Sequence, residues 1–429
     1  MFPRPFHLEP LLLELASMNN IFTMVLAGGK GERLFPLTDQ RAKPAVPFGG
    51  KYRIIDFTLS NCLNSGLRKV AVLIQYKSHS LDRHIRVGWD IFNAELGEFI
   101  ASIPPQQRIS EDWYRGTADA VYQNMFLIDA ENPEFLLILA GDHIYKMNYA
   151  EMYDWLIAKN ADAVVGAIDI PIHEATRFGV ISVDEDFRIT RFDEKPAHPT
   201  PLPNDPAHCF ASMGIYLFRT KAIRDHLIED SIEETAHDFG KNIVPRMIEQ
   251  RRVYAFKFHD ENKQTVQYWR DIGTLEAYWE ANMDLVAVVP QFNLYDPAWP
   301  IRTYQGQFPP AKFVFAHDYQ GGRMGIALDS IVCGGCIVSG ARVQNSVLSP
   351  NVRVQDHADI RESILMENVI IGAHCRIRRA IIDKDVIIPP HTEIGYHQEV
   401  DAEQFTVTES GLVVISKGMK LNAAVDSSG

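Results

Sequence analysis

Branched aliphatic residues recur at every sixth position near the C-terminal end, and this period constrains the fold more than any other feature of the sequence. They form four triplets, each beginning 17 residues after the last: Ile331, Ile337 and Val343; Leu348, Val354 and Ile360; Leu365, Ile371 and Ile377; Ile382, Ile388 and Ile394. A triangular β-helix requires this pattern, because each of its sides places one aliphatic side chain on the axis. A β-sandwich would instead show a period of two. The sequence therefore predicts a solenoid here.

The earlier part of the chain shows short apolar runs separated by longer segments. The runs lie at 21–27, 70–74, 135–140, 163–168 and 215–218. The intervals are long enough for crossover helices, so the pattern predicts an α/β domain with a doubly wound, Rossmann-like sheet. A segment with prolines and aromatics but no period follows it. We predict a first domain over 1–290, a linker over 291–325 and a parallel β-helix over 326–429.

Charge and cysteine content limit the partners and the compartment. The 429 residues include 55 acidic and 42 basic side chains, a net charge of -13 that repels nucleic acid and anionic membranes. A phosphate-bearing ligand therefore needs a local basic pocket. Five cysteines suggest a reducing compartment. The early apolar run at 8–16 contains Glu9, Pro10 and Glu14, which makes it too short and too acidic for a signal peptide or membrane span. We expect a cytoplasmic protein.

A glycine-rich stretch follows the first apolar run. Gly28, Gly29 and Gly31 would let backbone N–H groups approach a polyphosphate closely, and Lys30 and Arg33 would add positive charge. The spacing is neither that of a P-loop nor that of a dinucleotide-binding fold. A strained turn without function would give the same pattern, so the stretch does not identify the ligand by itself.

Four cations lie within thirteen residues just beyond this stretch: Arg41, Lys43, Lys51 and Arg53. Such a run is either a solvated surface or an anion-binding loop. Pro44 and the Gly49-Gly50 pair would hold the side chains on a fixed loop, which favours anion binding.

Two aspartates are candidates for a metal site. Asp142 follows a buried apolar run, at the edge of an α/β sheet where ligands bind and where a carboxylate would hold Mg²⁺. A helix N-cap is the alternative for this residue. Asp271 is a second such carboxylate, and two aspartates on separate strands suit a metal that bridges phosphates.

A further group of polar residues suits a sugar phosphate. Lys195 offers a point charge for a phosphate monoester, and Glu194, Ser212 and Tyr216 supply hydrogen bonds for a sugar. An exposed Glu-Lys pair alone would carry no information.

Several long blocks together resemble the bacterial ADP-glucose pyrophosphorylases, also called glucose-1-phosphate adenylyltransferases. The blocks are LAGGKGERL at 26–34, AKPAVPFGGKYRIIDF at 42–57, WYRGTADAV at 113–121, LAGDHIYKM at 139–147, EKP at 194–196, ASMGIY at 211–216, HDFGK at 237–241 and YWRDIGTLEAYW at 268–279. The resemblance covers nearly the whole chain. It implies a nucleotidyltransferase domain followed by a left-handed β-helix, and the Mg²⁺-dependent, allosterically regulated synthesis of ADP-glucose and pyrophosphate from ATP and glucose 1-phosphate. It also implies a homotetramer that acts at the first committed step of glycogen biosynthesis.

The resemblance assigns roles residue by residue. ATP contacts fall on Gly28, Gly29, Gly31, Arg33, Lys43, Gln75 and Gly116. Glucose 1-phosphate contacts fall on Tyr114, Gly179, Glu194, Lys195, Ser212 and Tyr216. The metal carboxylates fall on Asp142 and Asp271, and catalysis is expected from Arg33, Asp142 and Lys195. Communication with an effector site falls on Gln75 and Trp113, and the effector cations are Arg41, Lys43, Arg53, Lys384 and Lys417.

The residues at two positions leave the identity of the activator and the inhibitor open. Gln40 stands where some members activated by fructose bisphosphate have Lys, and Pro47 stands where some members inhibited by AMP have His. The effectors are expected to be small phosphorylated or carboxylate anions. Two other functions also stay open: a sister sugar-phosphate nucleotidyltransferase that uses another nucleoside triphosphate, and a non-catalytic regulatory subunit.

Overall fold

The structure is a computed structural model that describes residues 18–106, 113–202, 205–263, 267–317 and 322–421. The early apolar run at 8–16 lies outside these residues. No helix within the described ranges is long and apolar enough to cross a membrane. Internal contacts divide the chain into two compact units. Unit 1 holds the described residues before Lys30, Thr58–Gly141 and Lys146–Glu261; unit 2 holds Lys30–Phe57, Asp142–Tyr145 and the residues from Asn262 onward. The predicted domain boundaries at 290 and 325 divide the chain differently from these two units, and they stay a prediction.

Thirteen strands and eight α-helices precede the repeat region in the described residues. The strands are β1 Ile21–Ala27, β2 Pro47–Phe48, β3 Tyr52–Arg53, β4 Lys69–Ile74, β5 Phe99–Ile103, β6 Phe135–Ala140, β7 His143–Tyr145, β8 Ala163–Pro171, β9 Gly179–Val183, β10 Ile189–Glu194, β11 His208–Arg219, β12 Val253–Lys257 and β13 Trp269–Asp271. The helices are α1 Ile54–Asn64, α2 His79–Gly88, α3 Thr117–Gln123, α4 Met125–Glu131, α5 Tyr149–Ala158, α6 Thr220–Ile232, α7 Val244–Gln250 and α8 Leu275–Val286, with a π-helix at Phe239–Ile243.

Unit 1 is built on a nine-stranded sheet with the order β10-β9-β11-β6-β1-β4-β5, in which β8 also pairs with β11 and β12. β1 lies parallel between β4 and β6, and all three are almost continuously apolar because both faces of the sheet are covered. The predicted α/β class is confirmed. The sheet is mixed, however, because β11 runs antiparallel to β6 and β8. Apolar content shows that a strand is buried but carries no information on its direction.

The repeat region of unit 2 forms the predicted left-handed β-helix. Its strands are β14 Lys312–Val314, β15 Ile326–Leu328, β16 Ile331–Val332, β17 Ile337–Ser339, β18 Arg342–Gln344, β19 Val347–Leu348, β20 Arg353–Val354, β21 Asp359–Arg361, β22 Ile364–Leu365, β23 Ile370–Ile371, β24 Arg376–Arg378, β25 Ala380–Ile382, β26 Ile387–Ile388, β27 Glu393–Ile394, β28 Thr406–Val407 and β29 Val413–Ile415, with α9 at Gln398–Gln404 between β27 and β28. They form three sheets, in which strands of successive coils pair in parallel, and β28 is added antiparallel to β29 at the end of one sheet. Val354, Ile371 and Ile388 stack in this way, each at most 1% exposed.

The first coil departs from the predicted register. Val332 pairs with Leu348 and Val338 pairs with Val354, each 16 positions apart, whereas later coils repeat at 17. Val338 is therefore on the axis, and the prediction of Ile331 and Ile337 as inward residues is wrong. The reason is a shorter corner, because Val338 and Val343 are five residues apart where later coils have six.

Two adjacent isoleucines of β26 test this register. Ile388 is 1% exposed and Ile387 is 59% exposed. We expect Ile388→Ala to lower the free energy of unfolding by about 2–5 kcal/mol, because it leaves a cavity on the axis. Ile387→Ala should change it by less than about 0.5 kcal/mol. Urea unfolding of both variants measures the difference, and equal losses would contradict the assigned register.

Candidate active site

Two carboxylates and one ammonium group meet in unit 2. Asp142 directly precedes β7, and Asp271 ends β13. These strands are antiparallel neighbours that place His143 opposite Asp271. Lys43 Nζ lies 2.8 Å from Asp142 Oδ2 and 3.0 Å from Asp271 Oδ1. The strand pair therefore brings together residues that are far apart in the sequence, and the lysine bridges them.

Opposite charge keeps this group ionised. Burial alone would raise the pKa of Asp142, but the Lys43 ammonium and, to a smaller degree, His143 outweigh it and lower the pKa to about 2. Burial alone would lower the pKa of Lys43, but the carboxylates of Asp142 and Asp271 raise it above its usual value. Asp142 therefore stays an anion and Lys43 stays a cation at neutral pH.

The same carboxylates fit a divalent cation. Asp142, His143 and Asp271 each offer a ligand atom, and these atoms lie within 4.8 Å of one another. Carboxylate oxygens are the ligands that Mg²⁺ prefers, and a ring nitrogen suits other divalent metals as well. The sequence reasoning missed His143. Its position directly after Asp142 was visible, but its pairing opposite Asp271 was not.

Gly31 lies against the side chain of Lys43, and Arg33 lies near Asp271. Gly31 has φ +65° and precedes a 3₁₀ turn at Glu32–Leu34, and its carbonyl accepts a hydrogen bond from Thr38 Oγ1 at 2.8 Å. A side chain on Gly273 would come within 3.2 Å of Arg33 Nη2 and 3.3 Å of Asp271 Oδ2. The exposed Arg33 guanidinium therefore lies beside Asp271, close to the group bridged by Lys43.

The predicted nucleotide residues of unit 1 follow two neighbouring strands. Gly28 and Gly29 follow β1, and Gln75 follows β4, its parallel neighbour. A side chain on Gly28 would lie only 3.1 Å from Gln75 Cβ, whereas Gly29 faces open space. Gln75 is 8% exposed, and its Nε2 has no hydrogen-bond partner among the described residues. A buried donor of this kind is satisfied when a ligand supplies the acceptor.

The loop before α3 carries three more predicted residues. Trp113 is 56% exposed and stacks on Tyr76, with ring centroids 5.3 Å apart and planes 6° apart. Tyr114 accepts a hydrogen bond from Asn124 Nδ2 at 2.9 Å, and burial raises the pKa of its hydroxyl. Gly116 has no room for a side chain, because a Cβ would lie 2.3 Å from the carbonyl oxygens of residues 236 and 237.

The predicted sugar-phosphate residues lie on three strands of unit 1. Gly179 and Glu194 pair across β9 and β10, and a side chain on Gly179 would lie 2.9 Å from Glu194 Oε2. Lys195 Nζ lies 3.2 Å from Glu194 Oε1. The register of β11 shifts between Ser212 and Tyr216, whose hydroxyls hydrogen-bond to each other. Burial raises the pKa of Tyr216, so its hydroxyl keeps its proton at neutral pH.

The predicted effector cations are placed around the last coils of the β-helix in unit 2, except for Lys43. Arg41 is 4% exposed and binds both carboxylate oxygens of Asp383, at 2.9 and 2.8 Å. Lys384 Nζ lies 2.6 Å from Glu367 Oε2; burial lowers the pKa of Lys384, and the positive charges of Arg53 and Arg41 add to that effect.

Lys417 is exposed and lies in the segment that returns to Lys384. The N–H of Gly418 donates to the carbonyl of Lys384 at 2.8 Å. Lys43 does not join this group, because its ammonium bridges Asp142 and Asp271.

Comparison with known families matches two stretches of the chain. Residues 22–287 match the family described as Nucleotidyl transferase, and residues 309–415 match the family described as GlmU-like, C-terminal hexapeptide. Fold and site thus define a nucleotidyltransferase with a C-terminal hexapeptide-repeat region.

The chain is also similar over nearly its whole length to curated enzymes. It is 55% identical to the glucose-1-phosphate adenylyltransferase of Rhodopirellula baltica, over 96% of this chain and 93% of that protein. It is 55% identical to that of Koribacter versatilis, over 93% and 95%, and 49% identical to glucose-1-phosphate adenylyltransferase 2 of Vibrio cholerae, over 94% and 100%. The chain belongs to the glucose-1-phosphate adenylyltransferase family, and the resemblance found in the sequence is confirmed.

Competition between Lys43 and a metal can be measured. We expect Lys43→Met to bind Mn²⁺ roughly tenfold more tightly than the wild type in the absence of substrates, because a cation no longer lies between the two carboxylates. The exposed Lys51→Met serves as the control and should not change the affinity. Electron paramagnetic resonance of free Mn²⁺ gives the dissociation constants. Weaker Mn²⁺ binding by Lys43→Met would contradict the assignment of these carboxylates as metal ligands.

Proposed function

We propose that this chain transfers the adenylyl group of ATP to glucose 1-phosphate and releases pyrophosphate, as a Mg²⁺-dependent and regulated step of glycogen biosynthesis. The observation that carries the proposal is the pair of carboxyl groups of Asp142 and Asp271, which Lys43 bridges beside Arg33. Such a group of opposite charges suits the binding of a metal and a triphosphate. Membership of the glucose-1-phosphate adenylyltransferase family supports the choice of substrates.

The reaction is an in-line displacement at phosphorus. A phosphate oxygen of glucose 1-phosphate attacks the α-phosphorus of ATP, a new P–O bond forms, and the bond to the β-phosphate oxygen breaks as pyrophosphate leaves. A phosphate monoester is already an anion near neutral pH, so a general base has little to do. No protein nucleophile is needed. Catalysis therefore depends on positioning and on charge stabilisation.

The residues of unit 2 act on the phosphate groups. Asp142 and Asp271 would hold Mg²⁺, which when bound stabilises negative charge on the phosphoryl oxygens. Arg33 and Lys43 add fixed positive charge for the triphosphate, and Gly31 keeps the backbone close to it.

In unit 1 the residues assigned to the nucleotide act in two ways: the glycines let the backbone come close to the ligand, and the side-chain amide of Gln75 offers a hydrogen-bond donor. Gly28, Gly29 and Gly116 keep side chains away from the ligand, and Gln75 Nε2 offers a donor that has no partner among the described residues. Trp113, stacked on Tyr76 beside Gln75, is the candidate for communication with an effector site.

Glucose 1-phosphate is assigned to the polar residues around Glu194 and Lys195 in unit 1. The Lys195 ammonium binds the phosphate, while Glu194 accepts hydrogen bonds from sugar hydroxyls. Ser212, Tyr216 and Tyr114 complete the set, and Gly179 leaves the space that a side chain would take beside Glu194.

Regulation is assigned to the cations around the last coils of the β-helix. Arg41, Arg53, Lys384 and Lys417 suit small phosphorylated or carboxylate anions. Arg41 forms an ion pair with Asp383, and Lys384 forms one with Glu367, so an effector must compete with these internal carboxylates. A homotetramer in the cytoplasm completes the proposal, and light scattering of the purified chain measures the oligomeric state.

The experiment that tests the function is pyrophosphate release by the purified chain alone. Glucose 1-phosphate is supplied with ATP, UTP, dTTP or GTP, and each assay is repeated with fructose 6-phosphate, fructose 1,6-bisphosphate, pyruvate, AMP or phosphate. We expect release with ATP, and a change in rate with at least one effector. A clear preference for another triphosphate would indicate a sister enzyme, and no release with any of them would indicate a regulatory subunit.

Asp142→Asn tests the metal assignment. The amide keeps the size of the side chain but removes the charge that stabilises the transition state, so we expect kcat to fall by at least about a hundredfold with little change in KM. The exposed Asp90→Asn is the matched control. Steady-state kinetics measures both variants, and near-normal turnover of Asp142→Asn would overturn the assignment.

Lys195→Ala tests the sugar-phosphate assignment. Loss of the ammonium should raise KM for glucose 1-phosphate by about tenfold or more and leave KM for ATP nearly unchanged. The exposed Lys221→Ala controls for the loss of a positive charge elsewhere in unit 1. If only KM for ATP rose in Lys195→Ala, the sugar-phosphate assignment would be wrong.

A further inference from the structure

Residues 237–240, here called the 237–240 segment, lie between the loop before α3 and Glu194 of the proposed glucose 1-phosphate site. The carbonyl oxygen of His237 accepts the N–H of Ala118, in the first turn of α3, at 2.8 Å. A side chain on Gly116 would lie 2.3 Å from the same oxygen. At the other end, a side chain on Gly240 would lie 2.7 Å from Glu194 Oε2. The segment therefore links the loop that carries Tyr114 to the carboxylate of Glu194.

Further hydrogen bonds fix the segment to α3. Thr117 Oγ1 donates to Asp238 Oδ2 at 3.0 Å and accepts the N–H of Phe239 at 3.0 Å. The other oxygen of Asp238 accepts the N–H groups of Gly240 and Lys241, at 3.0 and 3.1 Å. Movement of the 237–240 segment would therefore carry the start of α3 with it.

The backbone at His237 needs an external restraint. Its φ is +49°, a left-handed conformation that a non-glycine residue keeps only when its surroundings hold it. His237 Nδ1 lies 2.9 Å from Asp230 Oδ2, and both residues are at most 3% exposed. Thr235 Oγ1 donates to Asp230 Oδ1 at 2.7 Å and accepts the N–H of His237 at 3.0 Å. Asp230, at the end of α6, thus fixes both the ring and the backbone of His237.

We infer that His237 is a positioning residue for glucose 1-phosphate. Its ring, held by Asp230, fixes the carbonyl oxygen that sets the Tyr114 loop against Glu194. The inference rests on the proposed roles of Tyr114 and Glu194 in binding the sugar phosphate. His237 acts through the loop and does not touch the substrate.

Two substitutions separate the ring from the backbone conformation. Glycine adopts a φ of +49° freely but has no ring for Asp230, so His237→Gly removes only the restraint. Alanine lacks the ring and also disfavours the conformation, so His237→Ala removes both. If positioning depends on the ring, glycine does not rescue function; if only the backbone conformation matters, it does.

The first readout is the kinetics of the full-length enzyme. We expect His237→Gly and His237→Ala both to raise KM for glucose 1-phosphate by about tenfold, because a displaced loop loses the geometry that binds the sugar phosphate. Asp230→Asn, which keeps the volume of the partner, should change KM in the same direction. Wild-type KM in His237→Gly together with a raised KM in His237→Ala would overturn the inference.

The second readout is hydrogen exchange of the peptide that contains Ala118 and Asp119, whose N–H groups donate to the carbonyl of His237. We expect His237→Gly to exchange there about tenfold faster than the wild type, because the acceptor is no longer fixed. Unchanged exchange in His237→Gly would overturn the inference. This readout needs no substrate.

His226 supplies the matched control. It also lies on α6 and is 1% exposed, but its ring nitrogens have no hydrogen-bond partner within the described part of the chain. His226→Ala should lower stability and leave KM and the exchange at Ala118 unchanged. An equal rise in KM would show general loosening of unit 1 and overturn the inference. If instead Lys195→Ala left KM for glucose 1-phosphate unchanged, the proposed substrate site would fail, while exchange in His237→Gly would still test the positioning.

Discussion

The site of unit 2 depends on one shared positive charge, the ammonium of Lys43 between Asp142 and Asp271. Two ionised carboxylates this close would repel each other, and burial adds to the free energy of keeping them charged. The ammonium, within 3.0 Å of both, offsets these terms and lowers the pKa of Asp142 to about 2. The pairing of β7 with β13 can therefore bring the two carboxyl groups close together at one edge of the strand pair.

Unit 1 meets a different constraint, which is space rather than charge. At Gly116 and Gly179 there is no room for a side chain, because the carbonyls of residues 236 and 237, and Phe192 with Glu194, lie too close; at Gly28 the approach of Gln75 leaves little room. Polar groups then remain available beside bare backbone, such as the Nε2 of Gln75. A reaction that needs no protein nucleophile is suited to such sites, because it depends on where the phosphates and the sugar are held.

The sequence predicted those parts of the molecule that local patterns encode. The period of the aliphatic residues identified the β-helix, because a stacked axis repeats at fixed intervals, and the apolar runs identified the strands of unit 1. Asp142 and Asp271 were found as metal candidates because each follows or ends a strand at a sheet edge. The inward residues of the first two strands were predicted one position too early, because Ile331 and Ile337 are also aliphatic and lie 17 residues before Leu348 and Val354. The direction of β11 was not predictable, because both directions bury the same residues.

Contacts between distant residues account for what the sequence could not show. Lys43 lies 228 positions from Asp271, and nothing in its neighbourhood distinguishes it from the cations assigned to the effector site. His143 and His237 owe their roles to partners supplied by other strands and helices. These features depend on three-dimensional packing and not on spacing.

Asp142 and Asp271 together are proposed to form the metal centre. An anomalous difference map from crystals of the chain grown with Mn²⁺ and ATP tests it directly. We expect a peak within about 2.0–2.4 Å of an oxygen of each aspartate, with the Lys43 ammonium moved off one of them. A peak that contacts neither carboxylate, with Lys43 still bridging both, would contradict it.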